Sequence, residues 1–242
     1  MKVLCIGHST WDITVPVENY PYENNKYTFT EKYSCGGGSA SNAAYLLGKW
    51  GLETYLASSV GSDDYGTKIK KEFQDLKMNT DYIETSYDKD TSLSFILVNK
   101  QSRTSTINTV IPDHPTLKKL NYDFNPNVIF TDGYDYGASQ SALSKNSNAI
   151  SIIDASRNDP EILELCKYTK YIVANKSFAE AITKMTINYD NPTSLVDVYT
   201  KLQNKYPNSN LIITLEDHGA LYQNNNQVKI MPGLKTRSEE HT

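Results

Sequence analysis

Ser34-Cys35-Gly36-Gly37-Gly38-Ser39-Ala40-Ser41-Asn42-Ala43-Ala44-Tyr45-Leu46-Leu47-Gly48-Lys49-Trp50-Gly51 is the stretch on which the reading of this chain turns. A β-rich run, Tyr27 to Tyr33, leads into three consecutive glycines, and the glycines lead straight into a helix. The spacing predicts that this helix buries Ala40, Ala43, Ala44, Leu47 and Trp50 and stops at Gly51. Glycine lets a backbone turn sharply and approach a ligand with no Cβ in the way. The first N–H groups of the new helix then face whatever sits in the turn. Asn42, one turn in, offers both a donor and an acceptor to a hydroxylated ligand. The turn suits a small molecule.

Outward from it, apolar strand-like runs alternate with amphipathic helices. Strands are expected at Val3–Ile6, Thr54–Ala57, Val128–Phe130, Ile150–Ile153, Tyr171–Val173 and Leu211–Thr214. Helices are expected at Asp64–Leu76, Gly137–Lys145, Pro160–Lys167, Ser177–Lys184 and Ser194–Asn204. Strands apolar throughout and joined by helices imply an α/β fold, a mostly parallel central sheet with helices on both faces. Two segments break the rhythm, about 13–33 and about 93–110, and read as a small antiparallel β lid projecting from the main sheet. Asn224-Asn225-Asn226 reads as a hairpin turn.

Composition excludes several classes of function. The 242 residues carry a net charge of −4, and no Lys/Arg cluster is interleaved with aromatics, which argues against a nucleic-acid surface. No basic segment precedes an apolar stretch, and no apolar run nears the roughly 18 residues of a membrane span. Cys5, Cys35 and Cys166 are odd in number and far apart, which fits reduced thiols and a cytoplasmic protein. His8, His114, His218 and His241 lack metal-ligand spacing.

Three motifs bear on chemistry. Gly36 and Gly38 fit the start of a dinucleotide fingerprint, but Ser41 stands at the third glycine and the next strand ends at Ser58-Ser59 without a ribose-binding acid. No Gly-Lys-Ser/Thr follows, so the turn is not a P-loop either. Gly7-His8-Ser9-Thr10-Trp11-Asp12 lies at the carboxyl end of the first strand, the edge where parallel sheets bind ligands. Asp12 there accepts hydroxyl hydrogens or simply starts a turn, and its pairing with the glycine turn favours the first reading. In Val60-Gly61-Ser62-Asp63-Asp64-Tyr65-Gly66, Asp63 is a helix N-cap and Asp64 suits the positive end of the helix.

Taken together these elements resemble the ribokinase-like (PfkB) carbohydrate kinase family. Gly7 and Asp12 match its Gly-x-x-x-x-Asp strand end, and Gly37, Gly38 and Asn42 match its Gly-Gly-x-x-x-Asn signature. Val60, Gly61, Asp63 and Gly66 match its Val-Gly-x-Asp-x-x-Gly turn, while Ile213 to Gly219 resembles its Thr-Leu-Gly-x-x-Gly nucleotide loop with Glu216 at the central glycine. The match runs from residue 1 to about 234.

The resemblance implies an ATP-dependent sugar kinase that transfers the γ-phosphoryl group to a hydroxyl of a small sugar or nucleoside, of fructokinase or ribokinase type. ATP and Mg²⁺ would be its cofactors, with a monovalent cation as a further candidate. Asp12, Gly37, Gly38 and Asn42 would hold the sugar, lid residues Arg103 and Asn108 would close on it, and Asn175, Thr214 and Gly219 would lie at the nucleotide. The family's Asn-x-x-Glu carboxylate is missing, because Phe178 stands there; Glu180, two residues on, is either a substitute at Mg²⁺ or a solvated helix residue. Asp132 and Asp154, at strand ends, are lesser candidates on the same edge. A homodimer through the β lid is the family expectation, with neither nucleic acid nor membrane as partner. Two other classes stay open: a non-catalytic sugar- or nucleoside-binding protein of the same fold, and a dinucleotide-dependent oxidoreductase.

The family places its general base in a Gly-Ala-Gly-Asp segment after the strand that would follow Lys235, and these residues contain no such segment. The expectation is a kinase domain over 1–235 whose catalytic base lies beyond the chain end, which leaves the 242-residue chain inactive and prone to aggregate. Residues 236–242 are expected to be a non-native tail, since one back-translation of Arg237–Thr242, AGATCGGAAGAGCACACG, is similar to a sequencing-library adapter.

Overall fold

The computed structural model describes residues 1–102, 104–110, 116–117 and 120–233. In chain order the strands and helices of the first half are β1 (Lys2–Ile6), β2 (Thr10–Val17), β3 (Tyr33–Gly37), α1 (Ser39–Lys49), β4 (Glu53–Gly61), α2 (Asp64–Asp75), β5 (Ile83–Ser86), β6 (Ser92–Asn99) and β7 (Ser105–Val110). There follow β8 (Val128–Thr131), α3 (Tyr136–Lys145), β9 (Ile150–Ala155), α4 (Pro160–Leu165), β10 (Tyr171–Asn175), α5 (Lys176–Thr183), α6 (Pro192–Lys205), β11 (Asn210–Thr214), β12 (Ala220–Asn224) and β13 (Gln227–Met231). Two compact units result among the described residues: one holds 1–6 and 121–233, the other those from 7 to 120.

In the first unit the strand order is β13-β12-β11-β10-β9-β8-β1. The pairs from β1 to β11 are parallel, and the closing β12–β13 hairpin is antiparallel. Strands of this kind need cover on both faces, and the apolar run Val3, Leu4, Cys5 and Ile6 is accordingly no more than 2% exposed. The long helix α6 starts at the Asn191 cap with Pro192 in its first turn and buries Leu195, Val198, Tyr199 and Leu202. These four residues form one stripe at helical spacing. Asn225 and Asn226 carry the β12–β13 turn at φ of 48° and 59°, the left-handed values such a two-residue turn demands.

In the second unit α1 and α2 pack on β4, which pairs in parallel with β5. A separate four-stranded sheet has the order β3-β2-β6-β7. Its outer pairs are antiparallel, as the alternating segments suggest, but the central β2–β6 pair is parallel over eight positions. Sequence cannot supply that pairing, since it joins strands far apart in the chain.

One expectation about the first helix needs correction. α1 buries Ala40, Ser41 and Ala44, whereas Trp50 is the C-cap residue and 69% exposed. At about 100° per residue, the buried face is rotated toward Ser41, which turns Trp50 away from the core. The tail proposed for 236–242 lies outside the described residues.

Candidate functional site

The glycine turn and Asp12 come together in the second unit. Asp12 sits on β2 opposite Cys35 of β3, and its Oδ1 accepts a 2.7 Å hydrogen bond from the Thr10 hydroxyl. A Cβ on Gly37 would collide with the Asp12 carboxylate, so glycine is what admits the acid to this place. Gly38 is the N-cap of α1 at φ 95°, and a Cβ there would strike the His8 carbonyl oxygen. That φ favours glycine over any other residue. The Asn42 N–H donates to the Gly38 carbonyl at 2.8 Å, which fixes Asn42 one turn into the helix with its side chain exposed.

The starts of α1 and α3 differ from those of the other helices in having no side-chain cap. Asp63, Asp159, Asn175 and Asn191 cap α2, α4, α5 and α6 with their side chains, but no side chain caps α1 and its first turn holds no acid. The positive end of this eleven-residue helix is turned to the glycine turn, beside which the Asp12 carboxylate sits.

Strand register decides which lid residues share the face of Asp12. Cys35, Asp12 and Ser94 lie side by side, and Ser94 pairs with Thr109, its hydroxyl 3.1 Å from that of Thr109. The row Cys35, Asp12, Ser94 and Thr109 thus presents a thiol, a carboxylate and two hydroxyls on one face. Asn108, one residue from Thr109, points to the opposite face. Arg103 lies outside the described residues. Ser94 and Thr109 escaped the sequence reading because their relation to Asp12 rests on the β2–β6 register. Cys35 stands inside the quoted motif, and alternation from Gly37 would have found it. Its thiol is pushed up by burial and then by the Glu72 and Asp12 carboxylates, which favours the neutral, weakly nucleophilic form.

Asp63 ties the lid to the helix layer. Its carboxylate accepts from the Gly66 N–H at 2.8 Å, the Thr91 N–H at 2.7 Å and the Thr91 hydroxyl at 2.7 Å. The Thr91 hydroxyl oxygen in turn accepts from the Gly61 N–H at 2.9 Å. Burial works against the Asp63 charge, but donation from Gly66, Thr91 and the Tyr65 backbone prevails and holds the acid below its usual range. Thr91 directly precedes β6, so this knot sets where β6 begins. On the lid's other face, a cavity of about 550 Å³ is lined by Asp64, Tyr65, Lys68, Leu93 and Val110, with none of the predicted acceptor residues in its wall.

In the first unit the nucleotide candidates sit at the carboxyl edge of the parallel strands. Asn175 and Thr214 are register partners at the ends of β10 and β11. The Asn175 Oδ1 caps α5 by accepting from the Phe178 N–H at 2.7 Å, and the Thr214 hydroxyl donates to the Ala174 carbonyl at 3.4 Å. Gly219, at φ 98°, closes the following loop through its carbonyl, which accepts from the Leu215 N–H at 2.7 Å. Glu216, at the family's central glycine, is held at φ 54°; the backbone keeps a glycine-type conformation that the side chain strains. The loop is braced by the His218 ring stacked 3.7 Å from Tyr189, whose ring also lies under the Lys176 ammonium at 4.8 Å.

The Glu180 carboxylate accepts from the Ile187 N–H at 2.7 Å and so closes the loop after α5. Asp132 is 1% exposed and accepts from the Tyr134 N–H at 3.1 Å, while Asp154 lies on β9 in register with Val173. Among the described residues, no group of three His, Cys, Asp or Glu side chains is placed to hold a metal ion.

Comparison with known proteins matches residues 1–238 to a family model described as pfkB family carbohydrate kinase. An ATP-dependent ribose-1-phosphate kinase from Halopiger xanaduensis is 25% identical over 107 residues, 44% of this chain and 36% of that protein. A ribokinase from Dictyostelium discoideum is 22% identical over 240 residues, 91% of this chain and 75% of that protein. Among solved structures, ribokinase from Cryptococcus neoformans in complex with ADP superposes with a TM-score of 0.77 at 16% identity, covering 97% of this chain and 79% of that one. The last shows the same fold, and the matched segment is little more than a third of the first relative's length.

Proposed function

The chain belongs to the pfkB family of carbohydrate kinases, and we propose that it binds a small sugar or nucleoside at the Asp12 row and directs the γ-phosphoryl group of Mg²⁺–ATP to one of its hydroxyls. The observation that carries this reading is Asp12 itself. Its carboxylate is oriented by Thr10, seated against Gly37 and flanked by Ser94 and Cys35. An ionised carboxylate has about four lone-pair sites, so the Thr10 bond leaves capacity for acceptor hydroxyls. Asn42 would donate or accept at a further hydroxyl, and Ser94 and Thr109 would meet the part of the acceptor that faces the lid.

Asn175, Thr214 and Gly219 are proposed at the nucleotide, with Mg²⁺ arriving on the phosphates as part of the substrate. Bound Mg²⁺ would supply neutralisation of phosphate charge, while this chain orients the acceptor. Phosphoryl transfer depends mainly on such positioning and electrostatics, and a lid that excludes water limits wasteful hydrolysis of ATP. The general base is not among the residues assigned here, so binding is the first readout and turnover the second. A cytoplasmic location and a homodimer through the four-stranded sheet belong to the same proposal. Tyr33, Phe95, Ile107 and Val110 leave apolar surface on that sheet, and no described helix is long and apolar enough to cross a membrane.

A second reading is a sugar- or nucleoside-binding protein that does no chemistry, favoured by Phe178 in place of the family's carboxylate and Glu216 in place of its central glycine. Calorimetric titration with D-ribose, D-fructose, adenosine, ATP and NAD separates the readings. The kinase proposal expects one hydroxylated acceptor and ATP to bind, NAD to fail, and Asp12→Asn to abolish acceptor binding. Acceptor binding with no affinity for ATP favours the second reading. Undiminished binding by Asp12→Asn overturns the site assignment.

A further inference from the structure

The glycine turn hangs on an edge strand. Among the described residues β3 pairs with β2 alone in its sheet, so one side of its backbone has no ladder partner there. On that open side the Gly36 N–H donates to both carboxylate oxygens of Glu72, each at 3.1 Å. The fit is close: a Cβ on Gly36 would lie 2.6 Å from Glu72 Oε2. Glu72 is itself firmly placed. It lies between Ile69 and Phe73, which are 0% and 1% exposed, and Phe73 meets Tyr45 of α1 edge-on with ring centroids 5.9 Å apart. One helix, α2, therefore braces the strand that enters the glycine turn and the helix that leaves it.

We propose that Glu72 is a positioning residue, clamping the glycine turn through the Gly36 N–H and thereby setting the affinity of the Asp12 site for its acceptor. This rests on the acceptor-site reading above and deepens it. Without the clamp the turn keeps only its β2 ladder, and Gly37 and Gly38 lose a fixed relation to Asp12 and to the start of α1. Hydrogen bonds to an ionised acceptor are about twice as strong as neutral ones, so protonation of Glu72 loosens the clamp. Burial raises its carboxyl above the ordinary range, the Gly36 N–H pulls it back, and Asp75 on the same helix raises it again. The Cys35 thiol, which the Glu72 charge helps to raise, faces it from β3. The clamp should weaken as pH falls through that raised value.

The test uses the 242-residue chain as wild type, Glu72→Gln and Glu72→Ala, each first confirmed folded by circular dichroism. Amide exchange at Gly36 is read by NMR without ligand, and D-ribose, adenosine and D-fructose are titrated by calorimetry. The wild-type Gly36 amide should be protected and its proton shift should follow the titration of Glu72. Glu72→Ala should exchange about tenfold faster and bind the acceptor about tenfold more weakly. Glu72→Gln, whose amide oxygen still accepts, should recover most of both and lose the pH-dependent shift. Unchanged Gly36 exchange in Glu72→Ala overturns the clamp, and faster exchange with unchanged acceptor affinity overturns its positioning role. If D-ribose, adenosine and D-fructose all fail to bind the wild type, the acceptor reading falls, and with it the affinity half of the proposal, while Gly36 exchange still judges the clamp by itself.

Discussion

Replacing Asp63 by alanine should unseat the lid without touching any proposed acceptor residue. The carboxylate accepts the Gly66 N–H of α2 and both donors of Thr91 at 2.7–2.8 Å. Loss of an N-cap costs about 1 kcal/mol. The Thr91 N–H, at a residue only 5% exposed, would be left without its acceptor, a further ~1–3 kcal/mol. The expected total is about 3 kcal/mol, read as a fall of about 6–12 °C in Tm for a chain of this size. The pH dependence supplies the control. Because the folded Asp63 titrates below its usual value, its contribution is full above the unfolded value of about 3.9. It is lost as pH falls through the lowered folded value. Thermal unfolding of wild type and Asp63→Ala should therefore differ most near neutrality and converge in acid. A gap under about 1 kcal/mol near neutrality, or a gap that does not shrink in strong acid, would refute the reasoning.

Three further outcomes are expected. Gly37→Ala should weaken acceptor binding at least tenfold by calorimetry, because its Cβ would occupy the place of the Asp12 carboxylate; wild-type affinity would show that Asp12 is free to retreat. Glu216→Gly should raise the denaturant midpoint by roughly 0.5–1 kcal/mol of stability, since a non-glycine residue at φ 54° carries about 1 kcal/mol of left-handed strain; a lower midpoint would mean that the Glu216 side chain makes a stabilising contact. Iodoacetamide should modify Cys35 alone in the folded chain, counted by mass spectrometry. Cys5 and Cys166 are buried, and burial pushes both thiols up to about 12, so labelling of either under native conditions would contradict the packing.

The order of elements was legible in the sequence because it rests on local chemistry. Uninterrupted apolar runs such as Val3 to Ile6 suit only a strand covered on both sides. Asp63 marks a helix start by a bond that spans three residues, a signal the sequence carries by itself. Gly37, Gly38, Asn42 and Asp12 stood out as candidates because the residue types carry the chemistry themselves. What pairs with what across the chain was left to the tertiary structure. The β2–β6 register puts Ser94 and Thr109 beside Asp12 and sends Asn108 to the other face, and a shift of one residue would reverse that choice. The rotation of α1 that exposes Trp50, the capture of Glu180 by the Ile187 N–H and the grip of Glu72 on Gly36 are of the same kind. Each depends on where a distant backbone comes to lie, and packing of the whole unit, rather than any short-range preference, determines that position.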